Sequence, residues 1–298
     1  RMYDGIINVY KEKGFTSHDV VAKMRGILGQ RKIGHTGTLD PAAEGVLPVC
    51  AGKGTKLCDM LTDETKTYEA LLHLGIATDT QDMSGTVTAE APVTVTEEEV
   101  RDCIASFVGE QQQVPPMYSA LKVNGKKLYE LAREGIEIER KARTVHFYEI
   151  SILEMKLPLV RMEVTCSKGT YIRTLLEDIA AAMGQKGTMS ALRRTTAGVY
   201  TEADAHTLEE IQAAKDAGPE ALQALMLPVE SVFESLPLLV AEPRVEQHLY
   251  NGCPTSRYPA ADGRYRVRNA EGQFLGLANI TGGVLKVEKL FVERNEKD

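Results

Sequence analysis

The sequence predicts an α+β fold with a separate, small β-barrel at its C-terminus. Strand-like and helix-like runs alternate irregularly along the first 235 residues, which does not suit a repeat of βαβ units. After Leu236-Pro237 the pattern changes to short β-like runs separated by turn residues, which is typical of a small barrel. The 298 residues are enough for two unequal domains. We therefore expect one domain over 1–235 and a second over 236–298.

The first domain is expected to begin with a strand over 5–10. Thr16 then caps a helix, because Asp19 stands three residues later and an apolar series through Leu28 follows. Hydrophobic runs at 46–49 and 67–74 predict two further strands, the second of which ends at a glycine.

The second half of the chain continues this mixture. Residues 143–153 and 160–166 predict a pair of strands, and 171–183 predicts a helix that ends at a glycine. The acidic segment 208–227 predicts another helix. In the expected barrel, turn residues such as those at 262–263, 271–272 and 282–283 separate the β-like runs.

Composition excludes several classes of protein. The chain is 43% hydrophobic and 26% charged, which is ordinary for a globular protein. No apolar run reaches the roughly 20 residues of a membrane-spanning helix, and no secretory signal is recognisable, so we expect a cytoplasmic protein. The five cysteines are scattered and form no CxxC pair, so neither a disulfide framework nor a zinc site is expected.

The net charge of −7 does not exclude an anionic partner, because the charge is unevenly distributed. Residues 201–236 contain one Lys or Arg and eight Asp or Glu, whereas 122–143 contains seven Lys or Arg and four Glu. This basic stretch belongs to an expected exposed insertion over about 112–143, where the bases are interleaved with Tyr118 and Tyr129. Such a segment suits a phosphate backbone, although a solvated helical face is the alternative.

The segment GHTGTLDP at 34–41 is the first candidate for chemistry. It combines two glycines, a titratable histidine and a carboxylate, as in a tight loop that presents His35 and Asp40 to a ligand. The alternative is structural: Asp40 would be the N-cap of a helix and Pro41 its first residue.

Arg173 and Tyr68 are further candidates. Arg173 falls in the first turn of the helix predicted over 171–183, where the helix dipole disfavours a cation unless an anion is close. Pairing with an arbitrary surface carboxylate is the alternative. Tyr68 lies among apolar residues of a predicted strand, where an aromatic side chain is usually part of the core.

Together these segments resemble the TruB family of bacterial tRNA pseudouridine synthases, which modify uridine 55 in the T-loop. The resemblance runs through nearly the whole chain, and the GHTGTLDP segment is highly specific. One departure is Glu12, where the family usually has proline. The motifs that carry the resemblance are KEKGFTS at 11–17, GHTGTLDPAAEGVLPV at 34–49, KTY at 66–68, LGIATDTQD at 74–82, PPMYSALK at 115–122, CSKGTYIRTL at 166–175 and SALRRTTAG at 190–198.

The resemblance implies a pseudouridine synthase fold, with a mixed, mainly antiparallel sheet flanked by helices, and a PUA-like RNA-binding domain at 236–298. It implies that the N1–C1′ bond of uridine 55 is broken and the flipped base rejoined through C5. Asp40 is the implied catalytic carboxylate, Arg173 its ion-pair partner, and Tyr68 the aromatic that stacks on the uracil. Either Tyr68 or Asp40 could act as the base that takes the C5 proton. The isomerisation exchanges no electrons or groups, so no cofactor or metal is expected.

The implied contacts with the substrate are spread more widely. His35 would support the flipped nucleotides, and Leu192 would line the uracil pocket. The expected partner is the T-arm of tRNA, bound by a monomer with no obligatory protein partner and no membrane. Further residues expected to bind this RNA are Lys11, Thr38, Lys122, Arg133 and Arg193.

Two alternatives stay open at this point. The chain could act as a tRNA-folding chaperone or RNA-binding module without catalysis, which an inactive but RNA-binding Asp40 variant would separate from the isomerase. It could also resemble guide-dependent relatives that modify ribosomal RNA with partner proteins. The basic insertion at 122–143 favours autonomous recognition of the RNA.

Overall fold

The computed structural model describes residues 2–119 and 121–292 and places most strands in one mixed sheet. The strands in chain order are β1 (Gly5–Lys11), β2 (Ile33–His35), β3 (Glu44–Ala51), β4 (Lys66–Leu74), β5 (Ile76–Thr78), β6 (Val87–Glu90), β7 (Gly109–Gln113), β8 (Lys122–Val123), β9 (Lys126–Lys127), β10 (Arg143–Lys156), β11 (Leu159–Cys166), β12 (Gly187–Ala197), β13 (Tyr200–Thr201), β14 (Leu238–Ala241), β15 (Gly263–Asn269), β16 (Phe274–Thr281) and β17 (Val284–Leu290).

Helices lie against this sheet and in the segment that leads to the C-terminal strands. They are α1 (Ser17–Leu28), α2 (Cys58–Thr62), α3 (Glu97–Ser106), α4 (Leu128–Arg133), α5 (Ile172–Ala182), α6 (Leu208–Ala217), α7 (Pro219–Leu225) and α8 (Pro243–Tyr250), with short 3-10 helices at Gly52–Leu57, Glu202–Asp204 and Val229–Phe233. Within the described residues, no helix is both long and apolar enough to cross a bilayer.

The order of strands explains how distant parts of the chain meet. The large sheet runs β1-β3-β12-β4-β11-β10-β7, with β2 also paired to β3 and β13 to β12. Only the short β12–β3 pairing is parallel among its described pairs. A late strand, β12, therefore lies between two early strands, β3 and β4.

Most of the elements predicted for residues 1–235 are confirmed. The helix α1 begins after Thr16, whose hydroxyl accepts from the Asp19 N–H at 2.8 Å, while the Asp19 carboxylate accepts from the Thr16 N–H at 2.9 Å. This reciprocal capping box satisfies two N–H groups that the helix itself cannot pair. Strands β4 and β11 pair antiparallel, and β4 alternates buried and half-buried residues, as expected of a sheet with one covered face.

Three predictions need correction. The helix predicted over 208–227 is divided into α6 and α7 at Gly218, because Pro219 has no N–H to continue the ladder. No helix begins at Pro41, where the chain makes a turn closed by Ala43 N–H to the Asp40 carbonyl at 2.9 Å, so the N-cap interpretation of Asp40 is wrong. In the described residues the C-terminal strands form an open sheet, β14-β15-β16-β17, and the closed barrel is not confirmed.

The core is continuous through the large sheet. Buried side chains of α1, α3 and α5 pack with those of the central strands in a single cluster. A second cluster joins this sheet to the C-terminal strands through Phe233, Phe274 and Phe291, whose ring centroids lie 5.8–6.1 Å apart. Beside these rings, Glu230 accepts from Arg266 at 2.8 Å and also pairs with Arg268. The C-terminal sheet therefore has an apolar and ionic attachment to the rest of the chain.

We expect Gly45→Ala to destabilise the fold strongly, because β12 approaches β3 closely at this point. A Cβ on Gly45 would lie 2.1 Å from the backbone oxygen of Arg194, and the glycine φ of +117° disfavours any side chain. Strain and overpacking together predict a loss of about 2–5 kcal/mol in the free energy of unfolding, measured by denaturant titration.

Gly26→Ala is the matched control for this substitution. Gly26 lies on the exposed side of α1 with open space around its Cα, so alanine there should raise stability by about 0.5–1 kcal/mol. Equal stability of Gly45→Ala and the wild type would contradict the close approach of β12 to β3.

Candidate active site

The loop between β2 and β3 is held by hydrogen bonds to β3 and to α1. The Thr36 N–H donates to the Pro48 carbonyl at 3.1 Å, and the Leu39 N–H donates to the Ser17 hydroxyl of α1 at 2.9 Å. The side chain of Leu39 is buried in the core and anchors the loop. As a result, the next residue, Asp40, is directed into a pocket with a fixed backbone.

Asp40 and Arg173 meet in this pocket, although 132 residues separate them along the chain. The Arg173 Nε lies 3.0 Å from Asp40 Oδ2 as an ion pair, without the alignment of a hydrogen bond. The Arg173 side chain is 4% exposed and also donates to the carbonyls of Thr80 at 3.1 Å and Tyr118 at 2.8 Å. Three contacts therefore fix the guanidinium at the start of α5, where the helix dipole alone would disfavour it.

The pocket controls the charge of Asp40. Burial raises the pKa of this carboxyl above its ordinary value of 3.8, and the nearby Asp82 carboxylate acts in the same direction. The cations Arg173 and Lys11 lower the pKa, so they oppose the effect of burial but do not exceed it. The side chain still keeps 36% of its surface exposed, so a ligand in the pocket can reach it.

Tyr68 and Leu192 form an apolar wall of the same pocket. They lie on the adjacent strands β4 and β12, and both side chains are buried with an exposed fraction of 8%. Burial raises the pKa of the Tyr68 phenol, while the charge and side-chain contact of Arg194 lower it. The phenol is therefore protonated at neutral pH and offers a flat, uncharged ring to a ligand.

The pocket has a volume of about 280 Å³, at the lower end of the range of about 300–1,000 Å³ for small-molecule sites. Both polar and apolar groups line it, which suits a planar, hydrogen-bonding ligand such as a nucleobase. Among the described residues no group of three or more His, Cys, Asp and Glu side chains could hold a metal ion. The lining residues include Gly37, Thr38, Leu39, Asp40, Thr62, Lys66, Tyr68, Ser119, Leu121, Ser167, Thr170, Tyr171, Arg173, Leu192 and Arg194.

Two of the residues predicted to bind substrate lie in or beside this loop. Thr38 lines the pocket directly. His35 ends β2, and burial lowers the pKa of its imidazole, so the ring is neutral at neutral pH. Its Nδ1 is buried and has no hydrogen-bond partner among the described residues.

Lys11 does not lie at the surface, where a side chain that contacts RNA has to lie. Its side chain is fully buried, and its ammonium donates to the carbonyls of Glu12 at 3.0 Å and Phe15 at 2.5 Å. Burial lowers its pKa to about 8. These contacts favour a role in shaping the turn after β1 and in supplying positive charge near Asp40 over direct contact with RNA.

Arg193 and Arg133 are not among the lining residues of the pocket, although the insertion itself reaches the pocket at Ser119 and Leu121. Arg193 occupies the opposite face of β12 from Arg194 and pairs with Glu69 at 2.6 Å and Glu202 at 3.3 Å. Arg133 ends α4 and stacks its guanidinium 4.9 Å from the centroid of Tyr129. The side chain of Lys122 lies outside the described residues.

Two residues of the site were not among the predicted functional ones. Lys66 is buried in the pocket, donates to the Thr62 carbonyl and has its pKa lowered to about 8 by burial. Asp82 is buried and acts on the charge of Asp40. Both stand in segments quoted for the family resemblance, but neither has a spacing that marks chemistry. The sequence could have indicated Lys66, because it stands two residues before Tyr68, next to the strand predicted over 67–74. Residues two apart in a strand lie on the same face, which for these two is the covered face of β4.

The chain matches two family descriptions in succession. Residues 25–172 match "TruB family pseudouridylate synthase (N terminal domain)", and residues 173–234 match "tRNA pseudouridylate synthase B C-terminal domain". Asp40, Tyr68 and Arg173 all fall inside these two matched ranges.

Curated relatives and solved structures agree with this match. A tRNA pseudouridine synthase B of Lachnoclostridium phytofermentans is 53% identical over 84% of this chain and 83% of its own length. One of Clostridium kluyveri is 42% identical over 97% of this chain and all of its own length. A crystal structure of a Cbf5-Nop10-Gar1 complex contains a chain with 28% identity and a TM-score of 0.73, covering 98% of this chain and 86% of that one. A structure of an H/ACA RNP bound to a substrate RNA gives 26% identity and a TM-score of 0.72, with coverage of 98% and 86%.

Proposed function

Because this chain belongs to the TruB family of pseudouridylate synthases, we propose that it converts uridine 55 in the T-loop of tRNA to pseudouridine. The observation that carries the proposal is the Asp40–Arg173 ion pair in a pocket walled by Tyr68 and Leu192. It combines one reachable carboxylate with an apolar slot for a flat base. The products are isomers of the substrates, so the proposed reaction needs no oxidant or group donor.

In the proposed reaction, Asp40 is the catalytic carboxylate. Its charged form can add to the substrate or stabilise positive charge that develops at C1′ as the N1–C1′ bond breaks, as carboxylates do in glycoside hydrolysis. Arg173 fixes the direction of the carboxylate and favours its ionised form against burial. The detached uracil then turns in place and rejoins the sugar through C5.

Tyr68 and Leu192 are proposed to hold the uracil during this turn. A base inside a folded T-loop is out of reach, so the nucleotide must be flipped out at a cost of a few kcal/mol. Stacking on the uncharged Tyr68 ring returns about 1–3 kcal/mol of that cost. Leu192 excludes water, which would otherwise compete for the sugar carbon. Either Tyr68 or Asp40 takes the C5 proton. Tyr68 can do so only as phenolate, the form that burial opposes and Arg194 favours.

The insertion over about 112–143 and the C-terminal part are proposed to bind the RNA outside the pocket. Lys127 and Arg133 both contact the ring of Tyr129, at 5.4 and 4.9 Å from its centroid, and Arg133 is exposed at the surface. We propose that residues 1–235 form the catalytic domain and that 236–298 form a PUA-like RNA-binding domain. Phosphate contacts by such cations position an RNA without reading its sequence.

The proposed substrate is free tRNA, which this chain meets as a monomer in the cytoplasm. Two tRNA pseudouridine synthases B that cover 97% of this chain are 41% and 42% identical to it, and another that covers 84% is 53% identical. The matching chains of a Cbf5-Nop10-Gar1 complex and of a Nop10-Cbf5 complex are less similar, at 28% and 26% identity. These identities favour a stand-alone enzyme over a guide-dependent one.

Release of tritium from C5-tritiated uridine tests the proposal, because C5 loses its hydrogen only when it becomes the glycosidic carbon. The wild type should release tritium from a T-arm stem-loop without guide RNA, partner protein or cofactor. A stem-loop with cytidine in place of uridine 55 is the matched control and should release none. Release only after addition of guide RNA would overturn the stand-alone substrate, and RNA binding without release would favour the chaperone alternative.

A further inference from the structure

Arg194 is a buried cation that enters the proposed reaction only by favouring the phenolate form of Tyr68. Its side chain is 1% exposed, and it has no carboxylate partner among the ion pairs of the described residues. Its acceptors are backbone carbonyls: Nε donates to Val46 at 2.8 Å, and Nη2 donates to Gly37 at 2.8 Å. A buried charge without a counter-ion is costly, so such a residue calls for a specific role.

The position of Arg194 connects the two sides of the pocket. On the central strand β12 it is the register partner of Tyr68 on β4 and of Gly45 on β3. The Gly37 carbonyl that it binds belongs to the loop that ends in Asp40. One guanidinium therefore reaches the aromatic wall and the loop of the catalytic carboxylate at once.

Gly37 shows how closely the loop approaches this guanidinium. Its φ is +60°, and a Cβ there would lie 3.4 Å from Arg194 Nη1 and 3.6 Å from the Cε of Lys66. On the other side, the charge and side-chain contact of Arg194 act on the phenol of Tyr68 and favour its ionised form. Arg194 thus has separate hydrogen bonds to the loop and to β3, and it lines the pocket beside Tyr68, its register partner on β4.

We propose that Arg194 is a positioning residue of the reaction, whose guanidinium holds the Gly37–Asp40 loop and the Tyr68 hydroxyl in a fixed relation. This inference rests on the proposed function and adds a residue to it. Arg194 touches no substrate atom in this proposal: it acts through Tyr68 and through the Gly37 carbonyl. A planar guanidinium can serve three acceptors in different directions, whereas the single ammonium of a lysine cannot.

A double-mutant cycle with Arg194→Lys and Tyr68→Phe tests the coupling, with single-turnover tritium release at saturating RNA as the readout. Arg194→Lys alone should slow release by about 30-fold, the size expected for a lost hydrogen bond from a charged group. In the Tyr68→Phe background the same substitution should slow release by less than about tenfold, because only its route through the Gly37 carbonyl remains. An equal loss in both backgrounds would overturn the coupling of Arg194 to Tyr68 and with it the proposal.

Arg161→Lys is the matched control. Arg161 lies on the neighbouring β11 of the same sheet and pairs with Glu69 at 3.0 Å on the face away from the pocket. Its substitution should change release by less than about twofold, because surface ion pairs contribute little. A loss as large as that of Arg194→Lys would assign the effect to the sheet as a whole and overturn a specific role.

If Arg194→Lys does not fold, or if Tyr68→Phe is too slow to measure, the NMR signals of the Arg194 guanidinium test its contact with the Tyr68 hydroxyl instead. Tyr68→Phe keeps the ring and removes only the hydroxyl, so it should shift the Arg194 guanidinium signals. Unchanged signals would overturn the contact. This readout needs no activity, so a wild type that releases no tritium would refute the proposed function without deciding the role of Arg194.

Discussion

Asp40→Asn should abolish tritium release while leaving RNA binding intact. Asparagine keeps the size of the side chain but removes the negative charge that the proposed reaction requires at C1′. The expected loss in the single-turnover rate is at least about 1,000-fold, as for other groups that react with the substrate. Arg173 keeps its bonds to the carbonyls of Thr80 and Tyr118, so the pocket should stay folded.

Asp216→Asn is the control for this loss, because Asp216 is an exposed residue of α6 far from the pocket and should retain full release. Binding of the T-arm stem-loop, measured by its Kd, should agree within about twofold for all three proteins. Full turnover by Asp40→Asn would refute the assignment of Asp40. If Asp40→Asn lost both RNA binding and tritium release, the result would indicate a folding defect.

Arg173→Gln should both slow the reaction and change its dependence on pH. The substitution leaves two buried carbonyls and the Asp40 carboxylate without their cationic partner, which predicts a loss of about 3 kcal/mol in stability and about 100-fold in rate. Arg173 lowers the pKa of Asp40 against burial, so its removal raises that pKa further.

The direction of the pH effect follows from the charge that the reaction needs. If the carboxylate is the active form, release falls as the pH drops through the pKa of Asp40, and a higher pKa moves this acidic limb to higher pH. Single-turnover rates of Arg173→Gln should therefore recover partly in alkaline buffer. Arg173→Lys, which keeps the charge, should show a smaller displacement. A rate profile with an unmoved acidic limb would refute the electrostatic role of Arg173.

Much of the fold was predictable because local signals agree with the tertiary structure. Thr16 and Asp19 start α1 with a capping box that the sequence displays directly, and the alternation along 67–74 reports the covered face of β4. The break at Gly218 was missed, because acidic and apolar residues continue the helical pattern across Pro219. Closure of the C-terminal sheet depends on long-range pairing that turn residues do not encode.

The site was predictable only in part, since its residues come from distant segments. Tyr68 and Asp40 were predicted from the family resemblance. That burial raises the pKa of Asp40 more than Arg173 lowers it becomes apparent only in the three-dimensional structure. Lys11 reads as a surface cation in the sequence and is buried in the fold. Arg193 and Arg194 are adjacent in the sequence, but successive residues of a strand point to opposite faces. Arg193 therefore forms an ion pair near the surface, whereas Arg194 is buried at the pocket.

Because β12 lies between β3 and β4, the large sheet of a nascent chain cannot be completed until β12 has been synthesised. About 113 residues separate the end of β4 from the start of β12, so at ~5–20 residues per second a ribosome takes roughly 6–23 s to supply the missing strand. Until then one side of β4 and the first residues of β3 are open edges, which are templates for pairing with other chains. A chain stopped before Gly187 lacks Leu192 and Arg194 and keeps both edges open, so it is prone to aggregate and has no complete pocket.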